Sequence, residues 1–356
     1  MTRRRKLVLG LFTTVLFFSL AEGALRLAGF RFDATPRYMQ FGHPDARDLA
    51  EVFQPDPTLL WRLIPGELYQ PDQIRVSKQG FRGFEFNPVK PPDTFRIVAL
   101  GDSCTFFGRL TSWPERLAGR FREANPGRDF DTINLAVPGY SSWQGKRLFE
   151  TEGLLLNPDL VLIYFGWNDH WLNFGVPDRL QRLAEGRAFQ ARNALLRARF
   201  FQLTSWAVAK GRAAARSAAP AGFGESCESC RVPLTEFRNN LKAMVSLSRQ
   251  RGAQTALITA PSGARRGSEV AAFVLESTMA PDGDWVLARH REYAQAVREV
   301  AAEENAILVD ALAVFEQRAD ATFFWRDNIH LREPGLDLLA ELVFEECREH
   351  FPPSRQ

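Results

Sequence analysis

An excess of either charge sign is missing from this chain: 45 lysines and arginines stand against 42 acids, a formal net charge of +3 and a pI near 8.7. That balance is too mild for a nucleic-acid surface, and no basic motif interleaved with aromatics occurs, so nucleic acid is set aside as a partner. Cysteine is scarce, at four residues. Zinc would need a second ligand pair beside Cys227 and Cys230, and none stands at suitable spacing. No strand-to-helix pattern surrounds that C-x-x-C, which argues against a thioredoxin-like redox motif. In an oxidising compartment it reads as a local disulfide. Cys104 and Cys347 sit among apolar residues and read as core. No G-x-S-x-G is present, which argues against a strained nucleophile elbow.

What is present suits a globular chain. At 356 residues, 45% hydrophobic and 24% charged, it can bury one large core or two modest ones. Its one sustained apolar run is N-terminal: Arg3, Arg4, Arg5 and Lys6 precede an uncharged stretch from Leu7 to Ala21. Basic residues ahead of an apolar segment keep that end in the cytoplasm and send the rest across. A full span needs about 17 to 25 residues, and the apolar character resumes through Leu25, Leu27, Ala28 and Phe30. Residues 1–30 therefore read as an uncleaved signal anchor in the cytoplasmic (inner) membrane, ahead of a cleaved signal peptide with its site near Ala21 and Gly23. Everything after it is then extracytoplasmic, periplasmic in a bacterium with two membranes.

Residues 31–93 are rich in Pro, Gly and aromatics and show no helical period. They read as a small β-rich or irregular cap, with Pro88 to Asp93 as linker. From residue 94 strand and helix patterns alternate. Apolar runs at Phe95 to Leu100, Thr132 to Leu135, Leu160 to Phe165, Thr255 to Thr259 and Ile307 to Val309 are strand candidates. Helical patterns cover Trp113 to Ala124, Trp143 to Leu155, Leu234 to Arg251, Trp285 to Asn305 and Pro334 to His350. Such alternation implies a parallel sheet covered on both faces, a three-layer α/β/α fold. Residues 170–231 interrupt the rhythm with an arginine-rich insertion (Arg179, Arg182, Arg187, Arg192, Arg197, Arg199, Arg212, Arg216) carrying Phe200, Phe201, Leu203 and Trp206. It reads either as a helical lid or basic surface near an anionic lipid or polymer, or as a solvated excursion that only packs.

Four short blocks fall at the carboxyl ends of strands or in the matching last loop: Gly101-Asp102-Ser103; Asn134 to Ser141; Gly166-Trp167-Asn168-Asp169; and Asp327-Asn328-Ile329-His330. In an open parallel sheet those ends converge on one crevice. The assortment suits acyl transfer. Ser103 is a nucleophile in need of a base, His330 can be that base, and Asp327 can hold the imidazole Nδ1 proton. The Ser103 and Gly139 backbone N–H groups and the Asn168 side-chain amide are the oxyanion donors. Asp102 and Asp169 read as loop-fixing carboxylates. His170 reads as a structural hydrogen bonder near the crevice, and His43, His290 and His350 as surface or packing residues.

These blocks, LGDS, NxAxPG, GxND and DxxH in that order, resemble the SGNH hydrolase superfamily, or GDSL esterases, whose four named residues match Ser103, Gly139, Asn168 and His330. The resemblance covers roughly Phe95 to Cys347 and implies a flavodoxin-like five-stranded fold, with residues 94–350 as the hydrolase domain. It implies a Ser103–His330–Asp327 acyl-enzyme and no metal or organic cofactor. Cys104 stands where the signature has leucine. The N-terminal part looks like that of membrane-anchored bacterial members. The resemblance allows an ester substrate on an acylated glycan or lipid, and the extracytoplasmic placement puts O-acetyl groups of glycans foremost. The alternatives are an O-acyltransferase acting on polysaccharide and a catalytically silent glycan-binding protein.

Overall fold

The computed structural model describes residues 2–32, 52–69, 74–173, 176–181, 195, 197–217, 227–264, 280 and 282–350. His43, and the insertion's Arg182, Arg187 and Arg192, lie outside them. By internal contacts the chain divides into two units, Met1–Pro36 with Ala184–Phe223, and Arg37–Leu183 with Gly224–Gln356.

The first unit contains α1 (Arg3–Leu27), whose residues are none of them buried. Over 18 residues its mean hydropathy reaches 1.8, long and apolar enough to cross a membrane. A signal sequence would pass the same test.

Among the described residues the larger unit has first two antiparallel strand pairs, β1 (Phe53–Asp56) with β2 (Leu60–Leu63), and β3 (Leu68–Tyr69) with β4 (Ile74–Arg75). The α/β part follows: β5 (Thr94–Gly101), α2 (Ser103–Phe106), α3 (Trp113–Ala124), β6 (Asp129–Asn134), α4 (Ser142–Thr151) and β7 (Leu160–Tyr164). In the first unit's share of the insertion lies α5 (Arg199–Ser217). The larger unit resumes with α6 (Leu234–Gln250), β8 (Gln254–Ile258), α7 (Gly283–Glu303), β9 (Ile307–Val309), α8 (Ala311–Arg318) and α9 (Glu333–Cys347). The sheet order is β6-β5-β7-β8-β9, every pair parallel. That is the flavodoxin-like order, in which β5 and β7 flank the switch point where a crevice opens at the carboxyl ends.

The five strands lie where their apolar runs predict, within a few residues. β5 and β7 are buried almost throughout because helices cover both faces. On α7 the stripe Val286, Tyr293, Val297, Val300 and Ala301 is buried, as its spacing implies. The stretch Trp143 to Leu155 is broken at Glu152, where α4 ends and a 3-10 turn begins. Arg96, fully buried in β5, donates to Asp131 Oδ2 (2.7 Å) and to the carbonyls of Asn87, Pro88 and Leu156. The segment leading into the sheet is thus clamped to its amino edge and is no free linker.

Candidate active site

β5 ends at Gly101, where a Cβ would come within 2.3 Å of the Thr105 hydroxyl, so only glycine lets the chain turn straight back into α2. Asp102 caps α2 by accepting from the Cys104 N–H (2.8 Å). Ser103 becomes the first helical residue, partly exposed at the sheet's carboxyl edge. Asn134, at the end of β6, donates to Thr105 O (2.9 Å) and accepts from the Ala136 N–H (3.0 Å), which ties the second block to α2.

The last loop reaches the serine by a tight turn. Asn328 adopts the left-handed region (φ 60°), and Asp327 Oδ1 accepts from the Ile329 and His330 N–H groups at 2.9 Å each. The other carboxylate oxygen lies 2.7 Å from His330 Nδ1, and His330 Nε2 lies 2.8 Å from Ser103 Oγ. A carboxylate can only accept, so the imidazole proton stays on Nδ1 and Nε2 accepts from the serine hydroxyl. Phe107 supports the ring edge-on at 5.2 Å. Burial would raise the Asp327 pKa, but the His330 ring and the two backbone donors outweigh it and hold the group below the usual carboxylate range.

Asn168 Nδ2 donates to Asp102 Oδ2 (3.0 Å), which fixes the amide, and its second N–H has no acceptor among the described residues. The N–H groups of Ser103 and Gly139 donate to no acceptor among the described residues. Gly139 has φ 83°, a conformation that glycine adopts without strain. Asp169 accepts from the Ser142 and Gly166 N–H groups (2.8 and 3.1 Å) and ties the start of α4, just past the second block, to the third. Both carboxylates serve the loops, as their positions imply. Burial pushes Asp102 up to about 6 and Asp169 up to about 7. Cys104 is buried, its thiol pKa raised well above normal by burial and then by Asp102, so it is a neutral core thiol beside the serine.

His290 is not at the surface. It is buried, with Nδ1 3.2 Å from His170 Nε2, Nε2 donating to Ala260 O at 2.8 Å, and Trp167 stacked on its ring at 3.9 Å. Burial lowers His290 to about 4 and His170 well below its ordinary value, so both stay neutral at pH 7. The folded protein then binds fewer protons than the unfolded chain between about pH 4 and 6.5, and this contribution is lost as pH falls through that window. Denaturant titrations of wild type and His290→Gln should differ most above pH 6.5, and the difference should shrink by up to about 3 kcal/mol on reaching pH 4.

Two residues that no motif marks hold the Gly139 loop from behind. Arg231 and Asp178 are both buried and paired, with Nη2–Oδ2 at 2.8 Å. The same guanidinium donates to Gly139 O (3.0 Å) and Gln144 Oε1 (3.3 Å), while Asp178 Oδ2 accepts from the Ser141 hydroxyl (2.7 Å). Arg231 directly follows the Cys227–Cys230 disulfide, which forms as the C-x-x-C implies. Arg231→Met would strand a buried carboxylate and is expected to cost about 3 to 5 kcal/mol of stability, read by denaturant titration. Trp61 also braces this loop: its Nε1 donates to Pro138 O (3.3 Å), and the Tyr140 hydroxyl donates to Trp61 O (2.5 Å).

Residues 99–338 match the sequence pattern of the GDSL-like lipase/acylhydrolase family. The chain belongs to that family, and it is a hydrolase acting on ester bonds. Among solved structures it is similar to a lipase/acylhydrolase from Enterococcus faecalis (20% identity, TM-score 0.46, covering 74% of this chain and all of that one). It is similar also to Axe2, an acetylxylan esterase from Geobacillus stearothermophilus (18%, 0.46, 73% and 97%), and to LAE5, an alpha/beta hydrolase from the metagenome of Lake Arreo (16%, 0.45, 71% and 94%). No curated protein matches.

Proposed function

We propose that this protein is a membrane-anchored, extracytoplasmic serine esterase that hydrolyses O-acyl esters of carbohydrate or lipid, O-acetyl groups foremost. The observation that carries the reading is the unbroken hydrogen-bond chain from Ser103 Oγ through His330 to Asp327. Ser103 Oγ attacks the ester carbonyl while His330 Nε2 takes its proton, and Asp327 steadies the imidazolium. Negative charge collects on the former carbonyl oxygen, facing the Ser103 and Gly139 N–H groups and the second N–H of Asn168. His330 returns the proton to the departing alcohol. Water, deprotonated by the same ring, then releases the acid from Ser103.

In this reading residues 1–30 anchor the chain with Arg3 to Lys6 on the cytoplasmic side, 31–93 form the cap, and 94–350 form the hydrolase domain with its insertion at 170–231. The test is hydrolysis of aryl esters of graded chain length, acetylated xylo-oligosaccharides and short-chain phospholipids. Acetate release from sugar with falling rates on longer acyl chains is expected. Acyl movement to added sugar hydroxyls instead of water would make the protein a transferase, and no turnover of any ester would contradict the proposal.

A further inference from the structure

Helix α5 belongs to the same unit as the apolar α1 and is fastened to one end of it. The Phe200 ring meets Phe18 edge-on at 4.8 Å, the Phe200 N–H donates to Glu22 Oε2 (3.0 Å), and the Phe32 N–H donates to Gln202 Oε1 (3.2 Å). These contacts involve the carboxyl-terminal half of α1, at Phe18 and Glu22, and Phe32 just beyond it, remote from Arg3 to Lys6. At about 1.5 Å per residue, α1 needs roughly 20 residues beyond Lys6 to cross a hydrocarbon layer of about 30 Å. Glu22 and Arg26, themselves ion-paired at 2.7 Å, therefore come near the far headgroup level, and the first turn of α5 comes with them.

The composition of α5 suits that depth. From Arg199 to Ser217 there are four basic residues, Arg199, Lys210, Arg212 and Arg216, and no acid, and Arg197 stands just ahead. Phe201, Trp206 and Val208 are exposed among them, and Lys210 lies 5.7 Å from the Trp206 ring. Cations with an indole and apolar side chains on one helix are what an in-plane interfacial helix needs to sit between headgroups and acyl chains. We propose that α5 lies on the outer face of the membrane and binds its anionic headgroups, an inference that rests on α1 being a retained anchor.

The test uses the full chain, labelled at Val208→Cys with an environment-sensitive fluorophore and reconstituted into phosphatidylcholine vesicles with or without phosphatidylglycerol. Flotation reads the anchor, and iodide quenching reads α5. With phosphatidylglycerol present, quenching by iodide should fall several-fold and headgroup-depth nitroxide lipids should quench instead. Adding Arg197→Gln, Arg199→Gln and Lys210→Gln should restore iodide access while the protein still floats. Equal iodide access in both vesicle types, with the protein afloat, would overturn the proposal and spare the anchor. Protection appearing only on addition of a soluble acidic polysaccharide would also overturn it, in favour of a polymer partner. A protein left in the supernatant would overturn the anchor and this inference together.

Discussion

Ser103→Ala is expected to lower kcat on a short-chain aryl ester by about four to six orders of magnitude while leaving the thermal midpoint unchanged. Among the described residues the serine hydroxyl has one partner, His330 Nε2, so its loss breaks no other hydrogen bond there. Alanine is also at home in the first turn of α2. The residual rate should come from binding and from the oxyanion donors, which the substitution does not touch. A variant that kept a tenth of the wild-type rate would remove Ser103 from the chemistry and leave the neighbouring, fully buried thiol of Cys104 no better placed.

Asp327→Asn should cost about four orders of magnitude in kcat with the fold retained. The reason lies in the two jobs of this side chain. One oxygen accepts from the Ile329 and His330 N–H groups, and the asparagine carbonyl can still do that. The amide NH2 would then face His330 Nδ1 as a donor. Nδ1 must become the acceptor, the ring proton moves to Nε2, and Nε2 can no longer take the proton of Ser103. Comparing single-turnover acylation in the two proteins separates this from lost binding, since KM should change little. The same carboxylate also bears on acid stability. Its depressed pKa makes a contribution that is full above the unfolded-state value and is lost as pH falls through the folded one.

Much of the α/β frame is readable from sequence because physical constraints act locally there. Strands buried on both faces must be continuous apolar runs, and helices covering them must show a stripe, as β5, β7 and α7 do. The four loop blocks are equally legible, since each needs particular residue types within a few positions of one another. What escapes is set by distant partners. The strands β3 and β4 are two residues each, too short for any period. Arg231 and Asp178 stand 53 residues apart, and the role of each exists only once the Gly139 loop lies between them and the crevice. His290 is a buried partner of His170 from 120 residues away. The attachment of α5 to α1 spans 178 residues, so the basic insertion shows its charge in sequence but not its neighbour.

In the proposed cycle one hydroxyl, in the β5–α2 turn, carries the acyl group. Labelling the full-length protein with a fluorophosphonate and mapping the modified peptide by mass spectrometry tests it directly. A single stoichiometric adduct on Ser103 is expected, formed in step with loss of esterase activity and absent in His330→Ala over the same time. An adduct on another residue that tracks inactivation, or full inactivation with Ser103 unmodified, would contradict it.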